Sequence, residues 1–182
     1  IDNADGDGRY TVGWSAAPRA ETYLLQEATN DAFRDASDLY SGADTSVLVE
    51  GRGASRLYYR VKARNEAGDS GWSDTRQVDI LWEAEPNNEP LAGANGPLAP
   101  GNTYFGTFPS GSDESDYYYF ELPGNGRIQI WLTDIPAGRN YDLVLRDTAL
   151  GPKGYSAELG NQDEQITASL LAGRYYIQVF NR

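Results

Sequence analysis

The residues best equipped for chemistry lie in one acidic, proline-marked stretch, Leu81-Trp-Glu-Ala-Glu-Pro-Asn-Asn-Glu-Pro90. Glu83 and Glu85 are two residues apart, so in an extended chain both carboxylates fall on one side. Pro86 holds Glu85 toward that extended form, because its ring clashes with a helical residue before it. Asn87 and Asn88 follow with amide oxygens that serve as neutral ligands for a hard cation. Four oxygen donors within a few residues suit calcium, which takes carboxylate and amide oxygens together. The same composition also suits a solvated acidic tether between domains, and spacing alone does not separate the two.

Composition bounds the rest. The 182 residues carry 27 acids against 15 bases, a net charge of −12. Residues 1–81 hold −5 of this and residues 82–182 hold −7. Phosphate recognition needs clustered Lys and Arg, so neither half is expected to bind nucleic acid. Cysteine is absent, which removes disulfides, thiolate metal sites and cysteine nucleophiles. Histidine is absent too, which removes Ser-His-Asp catalysis and the usual general base near neutral pH. No run of about 18 apolar residues occurs, so no membrane-spanning helix is expected. The chain starts and stops in mid-pattern and reads as a fragment of a longer one.

Tyr, Thr, Gly and Val are plentiful and apolar residues alternate, which predicts an all-β chain. Tyr10, Val12 and Trp14 alternate with small or polar residues, as do Tyr23 and Leu25, Val47 and Val49, and Leu57, Tyr59, Val61 and Ala63. Asn65-Glu-Ala-Gly68 reads as a turn before a strand holding Val78 and Ile80. In the second half, strands are expected at 104–108, 116–122, 128–132, 142–146, 165–170 and 174–180. The Pro123-Gly-Asn-Gly126 turn is expected to pair the second of these with the third as a hairpin, with Asn-Gly at positive φ. The run Asn3-Ala-Asp-Gly-Asp-Gly8 has alternate oxygens like the start of a calcium loop, but Trp14 stands where a bidentate acid is needed, so it reads as a turn. The expected architecture is two antiparallel β-sandwiches, residues 1–81 and 91–182, joined by a linker at 82–90.

Residues 1–80 resemble a fibronectin type III domain through Tyr10-Thr-Val-Gly-Trp14, Tyr23-Leu-Leu-Gln-Glu-Ala-Thr29, Tyr58-Tyr-Arg-Val-Lys-Ala-Arg-Asn65 and Gly71-Trp-Ser73. Leu57 stands where that family usually has a tyrosine. Residues 83–180 resemble the bacterial pre-peptidase C-terminal domain, a jelly-roll-like sandwich. The residues that carry this are Glu85-Pro-Asn-Asn88, Asp116-Tyr-Tyr-Tyr-Phe120, Tyr141-Asp-Leu-Val-Leu145 and Leu171-Ala-Gly-Arg-Tyr-Tyr-Ile-Gln-Val179. That family includes collagen-binding domains in which an acid-x-acid linker folds back to close a calcium site with acids ahead of an aromatic strand. The resemblance therefore implies a calcium site of Glu83, Glu85, Asn87 and Asn88 with Asp113 and Asp116. Asn88 replaces an acid of that pattern, which lowers the site's charge.

Strand alternation places Tyr117, Tyr119, Trp131, Tyr176 and Phe180 away from the core, where aromatic rings on a rigid sheet suit binding to an insoluble protein or polysaccharide. The resemblances imply a noncatalytic, secreted accessory module that spaces or targets an upstream catalytic domain of the same chain, a protease or other hydrolase. A cell-surface adhesion or matrix protein built from repeated sandwiches is the alternative. A glycosidase using two carboxylates is a further one, for which no motif speaks.

Overall fold

The computed structural model describes residues 1–109 and 113–182, and among them every regular element is a β-strand. The chain divides into two compact units, Ile1–Trp82 and Glu83–Arg182, so residues 83–90 fold with the second unit.

The first unit contains β1 (Tyr10–Gly13), β2 (Thr22–Ala28), β3 (Ser37–Gly42), β4 (Ser46–Val49), β5 (Ser55–Asn65), β6 (Gly68–Asp69) and β7 (Arg76–Ile80). One sheet is the antiparallel pair β1–β4; the other is centred on β5, which pairs β2, β6 and β7, while β3 flanks β2. Tyr10, Val12 and Val49 from the first sheet meet Leu25, Leu57, Tyr59, Val78 and Ile80 from the second in one buried cluster. Period-2 alternation thus turned one face of each sheet inward. Trp14, which continues the alternation of Tyr10 and Val12, packs against this cluster but is only partly buried.

The second unit contains β8 (Ser115–Leu122), β9 (Gly126–Leu132), β10 (Tyr141–Arg146), β11 (Pro152–Ser156), β12 (Glu164–Leu170) and β13 (Gly173–Asn181). One sheet runs β11-β10-β13-β8 and the other is β12–β9, all antiparallel. Their facing sides supply Tyr118, Leu143, Leu145, Ile166, Leu170, Tyr175 and Val179, each buried. The sheets come so close at Gly154 that a Cβ there would lie 2.5 Å from Ile166 Cγ2, which accounts for a glycine inside β11.

Three sequence expectations are corrected here. Residues 104–108 form no strand beyond an isolated bridge at Phe105. β8 does not pair β9: its partner is β13, and β9 pairs β12 in the opposite sheet, so Pro123-Gly-Asn-Gly126 carries the chain between sheets instead of closing a hairpin. Neither Asn125 nor Gly126 takes a positive φ. Without that conformation a primed two-residue hairpin turn does not form, and the chain is free to cross. Strands β3 and β11 were not anticipated, because Ser-Asp-Leu-Tyr-Ser-Gly and Pro-Lys-Gly-Tyr-Ser carry little β signal.

If this core is the main source of stability, position decides the cost of truncation. Leu145→Ala, at a fully buried site, should lower the stability of the second unit by about 2–5 kcal/mol in urea unfolding. Leu159→Ala, at a leucine 81% exposed, should stay within about 0.5 kcal/mol.

Candidate metal centre

β8 has two edges, and only one meets a strand. Its other edge is covered by the 87–98 segment. Tyr117 N donates to Asn87 O at 2.9 Å, Asn95 N to Tyr117 O at 2.9 Å, Tyr119 N to Asn95 O at 2.8 Å and Leu98 N to Tyr119 O at 2.8 Å. An unpaired strand edge is thereby satisfied without an added strand. The buried Asn95 also uses its side chain as a peptide mimic: Nδ2 donates to Ala84 O and Ala84 N donates to Oδ1, both at 3.0 Å. Ala84 lies between Glu83 and Glu85, so this clamp brings both acids against the start of β8.

The acids then meet. Single carboxylate oxygens of Glu83, Glu85 and Asp116 all lie within 4.8 Å of one another. Two oxygens bound to one calcium at 2.3–2.6 Å are separated by at most about 5 Å, so the spacing fits one ion. Glu83 is oriented by Tyr118 OH and Thr107 N, which donate to its two oxygens, and by Asn87 Nδ2 at 3.0 Å. Glu85 Oε2 accepts from Asn87 N at 3.1 Å, and Asp113 Oδ1 accepts from Asn88 Nδ2 at 2.6 Å. Asn88 itself is exposed and turns its nitrogen toward Asp113.

Three buried oxygens at this place have no hydrogen-bond partner: Asn87 Oδ1, Asp113 Oδ2 and Asp116 Oδ1. Asn87 is 0% exposed and Asp116 2%. Among the described residues no lysine or arginine pairs with Glu83, Glu85, Asp113 or Asp116. A buried acceptor without a donor costs about 1–3 kcal/mol, more when charged. The donor set is all oxygen, four carboxylates and an amide, which is the chemistry of calcium or magnesium and not of a soft metal. These residues fit a hard divalent cation.

Electrostatics agree with the geometry. Without a cation, burial raises the Asp116 carboxyl to about 8, and the charges of Glu83, Asp113 and Glu85 add to the shift. Burial also raises Glu85, opposed by its bond from Asn87 and reinforced by Glu83 and Asp113. The Tyr118 hydroxyl is held far above its usual range by burial and by the charge of Glu83.

The structure therefore brings together Glu83, Glu85, Asn87, Asp113 and Asp116, with Asn88 beside Asp113. Sequence reasoning missed Asn95, Tyr118 OH, Thr107 and Gly106. A Cβ at Gly106 would lie 2.4 Å from Tyr118 Oη and 2.6 Å from Glu83 Oε2, so only glycine leaves that hydrogen bond intact. No local pattern marks these residues, because each acts across the fold.

The outward aromatics separate. Tyr117, Tyr119, Tyr176 and Phe180 do share the outer face of the four-stranded sheet by register. Tyr176, expected at the surface, is only 4% exposed, packed against Tyr119 with ring centroids 6.2 Å apart. The Arg174 guanidinium covers the Tyr119 ring at 4.4 Å, and that of Arg182 lies 5.3 Å from the Phe180 ring. Large neighbours, not the strand register, bury Tyr176 and leave Tyr117, Tyr119 and Phe180 half-buried. Trp131 lies on the other sheet and is 57% exposed.

The family model of the bacterial pre-peptidase C-terminal domain matches residues 114–181. The second unit carries a domain of that family. The match begins just after Asp113, so within the pre-peptidase C-terminal domain proper lies Asp116, while residues 83–88 and Asp113 precede it. No curated protein matches the chain. Among solved structures, the FN1-FN3 domains of chicken CNTN1 match at 12% identity and a TM-score of 0.34, covering 95% of this chain. The chain spans 57% of that one, and the sandwich assignment rests on the strand registers above.

The raised Asp116 carboxyl makes a signed prediction for the metal-free protein. Its folded value, about 8, lies above the unfolded 3.8, so between these pH values the folded state holds a proton that the unfolded state has lost. That contribution to stability is complete below about pH 4 and is lost as pH rises toward 8. In excess chelator, wild type should lose more stability between pH 5.5 and pH 8.5 than Asp116→Asn does, measured by urea unfolding. Equal losses in the two proteins would remove the assignment.

Proposed function

We propose that the chain is a noncatalytic accessory module in which calcium, held by Glu83, Glu85, Asn87, Asp113 and Asp116, fastens residues 83–88 onto the pre-peptidase C-terminal domain. The observation that carries this reading is the set of three buried, partnerless oxygens beside the clustered carboxylates of Glu83, Glu85 and Asp116, which no lysine or arginine pairs with among the described residues. Asn88 holds Asp113 in place by its amide. Calcium supplies the missing positive charge and accepts six to eight oxygens in irregular geometry, so water and backbone carbonyls complete the shell.

The module belongs to a secreted bacterial hydrolase, a protease by the resemblance of the second unit, and the fibronectin type III-like first unit acts as a spacer. Calcium is plentiful outside cells, where modules of modest affinity are filled. The catalytic domain lies elsewhere in the same chain, and the two sandwiches supply spacing, anchoring or targeting. The family match and the lack of histidine and cysteine support a noncatalytic role.

Thermal unfolding in excess EDTA and in millimolar calcium tests the reading. Calcium at 100 times its dissociation constant stabilises the native state by about 2.7 kcal/mol, so the transition of the second unit should move up by several degrees. The transition of the first unit should stay where it is. Asp116→Ala should abolish the response. A wild type indifferent to calcium, or an Asp116→Ala variant that responds fully, would contradict the proposal.

A further inference from the structure

The two-stranded sheet of the second unit has an outer face that the calcium reading does not use. Register fixes its members: Arg127 faces Ser169, Gln129 faces Thr167 and Trp131 faces Gln165. All six side chains are exposed, while the alternate residues Ile166, Leu170 and Glu164 are buried beneath them. None of the six is engaged in a side-chain hydrogen bond or ion pair among the described residues. The face is thus an antiparallel ribbon bearing one indole, two amides, two hydroxyls and one guanidinium.

We propose that this face is a docking platform for a polysaccharide chain. The indole of Trp131 offers a rigid apolar plane, the shape on which the C–H face of a pyranose ring lies, and costs little conformational entropy to present. Gln129, Gln165, Thr167 and Ser169 are each donor and acceptor, which matches sugar hydroxyls that are also both. None of the six is an acid, although the chain as a whole carries −12. From Arg127 to Trp131 the ribbon runs about 14 Å at about 3.4 Å per residue. That length takes a few sugar units. With its two strands about 4.8 Å apart, the face measures on the order of 14 Å by 10 Å, well short of the roughly 800 Å² per partner of a stable protein interface, and one indole does not make the apolar centre such an interface needs.

None of the calcium ligands belongs to this sheet, so the platform and the metal centre stand or fall separately. The test is depletion of the full chain from solution by microcrystalline cellulose, chitin and granular starch, each in millimolar calcium and in EDTA. At least one polysaccharide should retain wild type in both conditions. Trp131→Ala should cut the retained fraction tenfold or more and Gln165→Ala severalfold, with unfolding midpoints unchanged. Tyr155→Ala, which removes an exposed ring from the other sheet, should bind like wild type. Retention of Trp131→Ala equal to wild type would overturn the proposal, as would failure of all three polysaccharides to retain the wild type. Capture by an insoluble fibrous protein, or a dimer in sedimentation, either of them lost in Trp131→Ala while no polysaccharide binds, would reassign the face and overturn it too.

Discussion

Four carboxylates gathered at the covered edge of β8 set the terms for the second unit. Two like charges about 4 Å apart repel by about 4 kcal/mol at an effective dielectric near 20. Glu83, Glu85 and Asp116 are mutual neighbours at that scale, and Asp116 is almost wholly out of water. The local structure is shaped to force this approach and not to relieve it. Asn95 pins the peptide between the two glutamates, Tyr118 and Thr107 orient Glu83, and Gly106 leaves room for both.

Other buried and part-buried acids of the chain are treated differently. Glu27 in the first unit is met by Tyr59 OH at 2.5 Å and Arg52 Nε at 3.1 Å, within a chain of hydroxyls that continues to Tyr10. Asp142 is met by Arg182 Nε at 2.7 Å and Tyr155 OH at 2.8 Å. Glu164, fully buried, accepts from Ser156 Oγ and from Glu158 N. None of these three acids leaves a buried oxygen without a partner, as is normal for buried polar groups. The cluster at Asp116 departs from this rule in three atoms at once, and the proposed cation would restore it.

Much of this was legible in the chain, for a physical reason. Strand alternation is a local property, so Tyr10 and Val12, Leu57 and Tyr59, and Ile128 and Ile130 could be assigned to strands without the structure. The four acids were legible because two pairs lie at short spacing beside a proline and an aromatic strand. Pairing between strands was less accessible: nothing near Pro123 says whether the next strand continues the same sheet or crosses to the other. Burial of Tyr176 depends on the size of Tyr119 and its neighbours, which alternation does not encode. Asn95 and Gly106 act on residues 11 and more positions away, so their part in the site is a product of the fold.

The central claim is that one cation belongs among these oxygens. Its most direct test is a crystal of the chain grown in millimolar calcium, with the anomalous signal of calcium used to locate the ion. The account predicts a single strong peak bound by Glu83, Glu85, Asn87, Asp113 and Asp116. A map with no peak there, with Asp113 and Asp116 instead bonded to lysine, arginine or water alone, would contradict it.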